Sequence, residues 1–151
     1  MKKVVFFLLS IVLLITSCEK DDFCIDPITP NLVLRFYDIN DPTTVKSVSN
    51  LSIWPEGVQD TLVLNTTLDS IAIPLDVNNS ETVYNFRRGT DIDQIAIQYT
   101  VDEIFVTRSC GFKANFLDLN GILETTSWIQ AIDIISQSIE DQTSAHIQVF
   151  H

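Results

Sequence analysis

Apolar and polar residues alternate along much of this chain with a period of two, the spacing of a strand that buries one face. The cleanest run sets Ile95, Ile97, Tyr99 and Val101 against Gln94, Ala96, Gln98 and Thr100. It predicts a central strand with one face in the core. Upstream, Leu32, Leu34 and Phe36 alternate with Arg35 and Tyr37, which predicts a half-buried strand over residues 31–39. Asn40-Asp41-Pro42 reads as a turn, and a weaker strand over 45–54 is stopped by Pro55-Glu56-Gly57. Short strands follow over 61–64 and 70–75, the second demoted to an edge by Pro74. Asn78-Asn79-Ser80 turns the chain into a strand over 82–87 with Tyr84 and Phe86 on one face, and Gly89-Thr90-Asp91 turns it again.

Beyond the central strand, Ile104, Val106 and Cys110 continue in extended form, and residues 112–119 predict another strand. Asn120-Gly121 after it is a hairpin signal, because both residue types tolerate positive φ. Residues 128–139 fit two periods. Trp128, Ala131, Ile132, Ile135 and Ile139 make a helical stripe, but the β-branched content favours a strand, with residues 145–150 returning beside it as a hairpin partner. Eight or nine short strands with turns at near-regular spacing predict an all-β chain: a single antiparallel β-sandwich, immunoglobulin-like or transthyretin-like, over residues 31–151. No internal repeat is evident.

The first residues have a different pattern. Lys2 and Lys3 precede residues 4–15, apolar apart from Ser10. A helix of that length reaches about 18 Å against a hydrocarbon core of roughly 30 Å, so the run reads as an export signal rather than a spanning helix. Ile15-Thr16-Ser17-Cys18 resembles the bacterial lipobox, in which small residues precede an acylated cysteine. An ordinary signal peptide with a chance cysteine is the competing reading. Lys20, Asp21 and Asp22, one residue after Cys18, resemble the export tag of Bacteroidota surface lipoproteins. A merely solvated start to a tether competes with that. The predicted organisation is a signal peptide over 1–17, a lipidated tether over 18–30 containing Pro27 and Pro30, and the β-domain over 31–151. The expected location is the outer membrane, lipid-anchored and surface-exposed, with the periplasmic face as the alternative.

Cleavage before Cys18 removes two lysines and no acid, taking the formal charge from −11 to −13. Nucleic acid and anionic lipid both demand a basic patch, and the only clustered bases are Arg87 and Arg88. Nucleic acid is therefore excluded as a partner. Of three cysteines, Cys18 is taken by the lipid, which leaves Cys24 and Cys110 to pair in an oxidising compartment. Two unpaired thiols are the alternative. No zinc-ligand spacing is present.

Candidate chemistry is sparse. His146 and His151 are five apart, on opposite faces of a strand, and suit no shared metal. Asp91 with Asp93, and Asp118 with Asn120, lack the oxygens of a calcium loop and read as solvated turn residues. Adjacent Asp102 and Glu103 point to opposite faces, which works against shared proton chemistry. No nucleophile elbow or phosphate-cradling loop is present, so neither an enzymatic activity nor a cofactor is expected. Asp60-Thr61-Leu62 and Asp69-Ser70-Ile71 resemble the short O-glycosylation pattern of Bacteroidota, which marks Thr61 and Ser70 as candidate acceptors.

The acylated cysteine, the run Asp93-Gln94-Ile95-Ala96-Ile97-Gln98-Tyr99, the segment Thr107-Arg108-Ser109-Cys110-Gly111-Phe112 and the closing His146-Ile147-Gln148-Val149-Phe150 together resemble a family of small Bacteroidota lipoproteins of unknown function. That resemblance implies a β fold and assigns no activity, so no functional residue is carried over. Two function classes stand. One is a binding or structural module that meets an envelope protein or an extracellular polymer, and the other is a small envelope hydrolase or isomerase. A flat aromatic face around Trp54, Tyr37 or Tyr84 would favour the first, and a pocket lined by convergent polar groups the second.

Overall fold

The computed structural model describes Cys24, residues 28–58 and residues 60–151. The expected signal peptide over 1–17, the expected lipidation site Cys18 and the expected tag Lys20, Asp21 and Asp22 lie outside the described residues. Ten strands form two sheets, and the described residues contain no helix: β1 (Leu32–Asp38), β2 (Asp41–Val45), β3 (Val48–Pro55), β4 (Val63–Leu68), β5 (Ser70–Ile73), β6 (Glu81–Arg88), β7 (Asp91–Thr107), β8 (Gly111–Leu123), β9 (Ala131–Ile134) and β10 (Ile147–Phe150).

The first sheet is ordered β2-β1-β10-β9, with β5 beside the first half of β1 and β2 beside its end. The β1–β10 pair is parallel, and it sets the two ends of the domain side by side. The second sheet, ordered β4-β3-β6-β7-β8, is antiparallel throughout. The period-two stripes meet between the sheets. Leu32, Leu34 and Phe36 from one and Ile53, Phe86, Ile95 and Ile97 from the other are fully buried in one cluster. This is the expected all-β sandwich, with the cleanest alternating run in β7, an interior strand flanked by β6 and β8.

Three local expectations change. The turn expected at Asn40-Asp41-Pro42 falls at Ile39-Asn40, so an extra strand, β2, precedes the strand expected over 45–54, which is β3; Pro42 sits in β2 at the sheet edge, where its missing N–H costs no ladder bond. Asn120-Gly121 is not a turn: β8 runs through it, with Asn120 opposite Gln98 and Gly121 opposite Ile97. Gly121 is needed for space. A Cβ there would stand 3.0 Å from Ile132 Cδ1 and 3.2 Å from Ile134 Cδ1 of the facing sheet. The irregularity expected at Asn120 lies just before it, at Asp118. There φ is 54° and the β7–β8 register shifts, so that Phe116 and Leu119, three apart, both point inward. Residues 128–139 are strand only over β9, which pairs antiparallel with β10 as the β reading expected. The helical stripe fails: Ile132 packs on the core from β9, Ile139 bridges Phe116, and Ile135 is exposed.

Candidate functional site

The register of the second sheet arranges its outer face as a grid. Positions alternating with buried Tyr84 and Phe86 point away from the core, and their cross-strand partners line up in rows about 7 Å apart. One row is Ser52, Arg87 and Ile92, and the next is Trp54, Asn85 and Gln94. Val83, Ala96 and Ile122 form an apolar row, and Glu81, Gln98 and Asn120 close the grid.

The side chains bond along and between these rows. Gln94 Nε2 donates to Asn85 Oδ1 at 2.8 Å. Asn120 Nδ2 donates to Gln98 Oε1 at 3.2 Å, and Gln98 Nε2 donates to Glu81 Oε2 at 2.9 Å, which makes a ladder across three strands. The Arg87 guanidinium lies 5.6 Å over the Trp54 ring and donates to Ser52 Oγ at 3.3 Å. These contacts hold long side chains flat, so Ser52 and Asn85 are buried beneath their neighbours although they face outward. The result is a low-relief surface with one aromatic ring, one cation, and amides at two levels on either side of an apolar row.

The inner face carries a different polar device. Asp93 shares the parity of Ile95 and Ile97 and is fully buried. Its carboxylate accepts the backbone N–H of Ser127 on Oδ1, and those of Trp128 and Ile129 on Oδ2 at 2.7 Å each. Burial pushes this carboxyl up, but the three backbone donors outweigh it and hold the group below the usual carboxylate range. Trp128 Nε1 donates to the Phe86 carbonyl at 3.0 Å, and its ring packs against Phe36 and His151. Asp93 and Trp128 thus fasten the segment that crosses from β8 to β9. Asp93 is a structural anchor rather than the solvated turn acid expected; Asp91 is exposed.

A cleft near the start of β6 is lined by Pro55, Glu56, Pro74, Leu75, Glu81 and Tyr84 among others. Several of its polar groups are engaged within the fold. Tyr84 Oη donates to the Pro74 carbonyl, and burial, with a smaller contribution from Tyr99, pushes its hydroxyl up to about 12. Thr82 Oγ1 bonds Tyr99 Oη and accepts the Asp76 N–H at 3.0 Å. Asp76 accepts from Asn78 N–H and Asn79 Nδ2. A phenol so raised stays protonated at neutral pH, and the network's geometric effect is to hold the loop after β5 against β6.

His146 and His151 are both buried and apart. His146 Nδ1 accepts the Val33 N–H at 3.0 Å, and His151 stacks edge-on against Phe36 and bonds the Lys46 carbonyl. Burial pushes both imidazoles down, so they are neutral at pH 7. Cys24 and Cys110 form a disulfide with Cα atoms 4.9 Å apart, which fastens the tether to the β7–β8 turn. Thr29 and Pro30, expected in the tether, pack on the domain: Thr29 Oγ1 accepts the Ala114 N–H at 2.9 Å and Pro30 is buried. Thr61 and Ser70 are exposed, before β4 and at the first position of β5. Of the three aromatic residues expected on a flat face, Trp54 is there and Tyr84 is core, while Tyr37 packs against Phe150 on the other sheet. The grid around Trp54 was out of reach of sequence reasoning, which finds the alternation but not the register that aligns four strands.

No curated protein and no solved structure matches the chain. One family model does match, over residues 50–151, from β3 to the last strand and including every grid position. That covers more than half of the chain, which therefore belongs to DUF6452, a family of unknown function.

Proposed function

We propose that this chain is exported, cleaved before Cys18, anchored to the outer membrane by lipid on that cysteine and displayed on the cell surface, where the outer face of β3-β6-β7-β8 binds an extended, hydroxyl-rich polymer, a glycan. The anchor and display rest on the apolar run of residues 4–15, the lipobox-like Ile15-Thr16-Ser17-Cys18 and the tag Lys20, Asp21 and Asp22. The observation that carries the binding reading is the pair Trp54 and Gln94, with Gln94 held in place by the buried Asn85 between them and Arg87 beside it. An aromatic ring receives the C–H face of a sugar, side-chain amides both donate to and accept from hydroxyls, and a guanidinium takes a carboxylate in two parallel bonds. The second amide level at Gln98 and Asn120 lets a linear polymer be gripped twice, while the intervening apolar row costs no desolvated polar group. Preorganisation supports the same reading, since the amides are already held by each other and lose little freedom on binding.

The test is electrophoresis of the unlipidated Cys18→Ser chain through gels containing neutral or uronic-acid polysaccharides. At least one polymer should retard it, more strongly if it is acidic. Trp54→Ala and Gln94→Ala should each weaken retardation by about tenfold, the effect of losing one central contact. Retardation by none of the polymers, or retardation indifferent to both substitutions, removes the reading.

A further inference from the structure

The β7–β8 ribbon carries its core stripe beyond the sandwich. On the inner face the register pairs Val101 with Phe116, Glu103 with Ala114 and Phe105 with Phe112. Phe116 and Ala114 are buried, the Ala114 N–H bonded by Thr29 Oγ1, but burial stops there. Phe105 and Phe112 are left 57% and 68% exposed, with their rings 5.4 Å apart in an edge contact, and nearby Ile28 is 78% exposed. Two adjacent phenylalanines at the end of a ribbon are costly in water, and their contact with each other leaves both more than half exposed.

Two further observations say what covers them. The disulfide joins Cys110, at the tip, to Cys24. Cys24 is six residues from Cys18, at most about 21 Å of fully extended chain. An anchor at Cys18 therefore holds the ribbon tip, rather than the opposite end of the sandwich, next to the bilayer. Local charge points the same way. Exposed Asp102 and Glu103 stand below the tip, but beyond them, from Ile104 to Lys113, the chain has Arg108 and Lys113 and no acid, within a protein of 20 acids and nine bases. Aromatic rings flanked by bases are the composition of a membrane–water interface, where rings sit at headgroup level and cations meet lipid phosphates.

We propose that the tip of the β7–β8 ribbon is a second membrane contact: Phe105 and Phe112 insert at the boundary of headgroups and acyl chains in the leaflet that holds the Cys18 lipid, and Arg108 and Lys113 face its phosphates. The acyl chains retain the protein, and the tip sets its orientation. The domain then stands on this end with its sheet faces upright, which leaves the grid around Trp54 open to a polymer. This inference rests on the reading of Cys18 as the lipidated residue.

The test uses the full chain, purified from membranes with its anchor and reconstituted in phosphatidylethanolamine–phosphatidylglycerol vesicles, with Trp placed at the tip by Phe112→Trp. Intact mass reports lipid on Cys18 independently of the tip. With brominated acyl chains the added Trp emission should fall by about twofold or more, as expected for a ring at the interface, while the emission of the wild-type protein, from Trp54 and Trp128, stays unquenched. Adding Phe105→Glu should abolish the quenching without releasing the protein. A lipidated protein whose tip Trp is not quenched overturns the inference and leaves the anchor reading intact. A blue shift without quenching assigns the patch to a second copy or another protein and overturns it equally. A mass lacking lipid defeats the anchor reading itself. In that case quenching in the unlipidated chain at high vesicle concentration still decides whether the tip contacts lipid, and its absence there also overturns the inference.

Discussion

A single carboxylate governs how the two sheets are joined. Asp93 sits where alternation demands an apolar residue, and the only way to leave an ionised group there is to surround it with donors. Three successive backbone N–H groups of residues 127–129 do this, and they would otherwise be orphaned where the chain leaves one sheet for the other. Asp93→Ala leaves three donors unpaired and should destabilise the domain by about 3–4 kcal/mol, on the order of 10 °C in Tm, as read by thermal denaturation. The pH dependence carries its sign. The folded-state pKa lies below the unfolded value of 3.8, so the contribution is complete above the unfolded pKa and is lost as pH falls through the folded one. The melting temperatures of wild type and Asp93→Ala should therefore converge as pH is lowered from 5 towards 2. A constant gap would mean that the carboxylate is not the source. The parity that placed Asp93 inward was legible in the sequence; its three donors, more than 30 residues away, were not.

Among the elements, β8 shows how the same residues read differently once a facing sheet exists. Asn120-Gly121 carries turn chemistry, yet the pair lies inside a strand of 13 residues. Gly121 is there because the side chains of Ile132 and Ile134 occupy the space of a Cβ. Alanine should cost less than valine, since the nearest atoms are the ends of flexible side chains that need shift only slightly and the more restricted unfolded chain offsets some of the crowding. Gly121→Val adds branches against the same atoms and should cost about 2–3 kcal/mol in urea denaturation with an unchanged m value. If valine costs no more than alanine, the two sheets are not in contact at this point. The true irregularity, the bulge at Asp118, has no glycine to announce it. Its φ of 54° is held in place by Thr100 Oγ1 donating to its carboxylate at 3.1 Å.

For the molecule as a whole, the disulfide closes the largest loop. Linking Cys24 to Cys110 spans 86 residues and restricts the unfolded chain by roughly 4.5 kcal/mol in the chain-entropy model, an upper figure. Because Cys24 stands at the margin of the domain, its loss leaves the sandwich core unaltered. Cys110→Ala should thus fold, melt several degrees lower, and expose residues 24–30 to protease before the strands are cut. Equal melting temperatures with and without the bond would show that the unfolded chain gains nothing from release. The parallel β1–β10 pair brings β1 to the centre of its sheet, so the disulfide, the ribbon tip and the start of the domain share one end, with the outer grid running along one face.

By itself the sequence determined the all-β class, the inward stripes of β1, β6 and β7, and the cysteine pair, and it carries the whole expectation of an export segment ahead of the domain. Each follows from local periodicity, from counting, or from the length of an apolar run. Only the tertiary structure decided that Gly121 is spacing rather than turn and that Asp93 is an anchor. It also decided that Trp54 lies at the edge of a four-row face, and that Phe105 and Phe112 are left exposed at the end of their ribbon. The reason is common to all four. Alternation states which side of a strand a residue occupies, but what lies on that side is set by register and by the reach of the opposing sheet, through contacts between residues far apart in the chain.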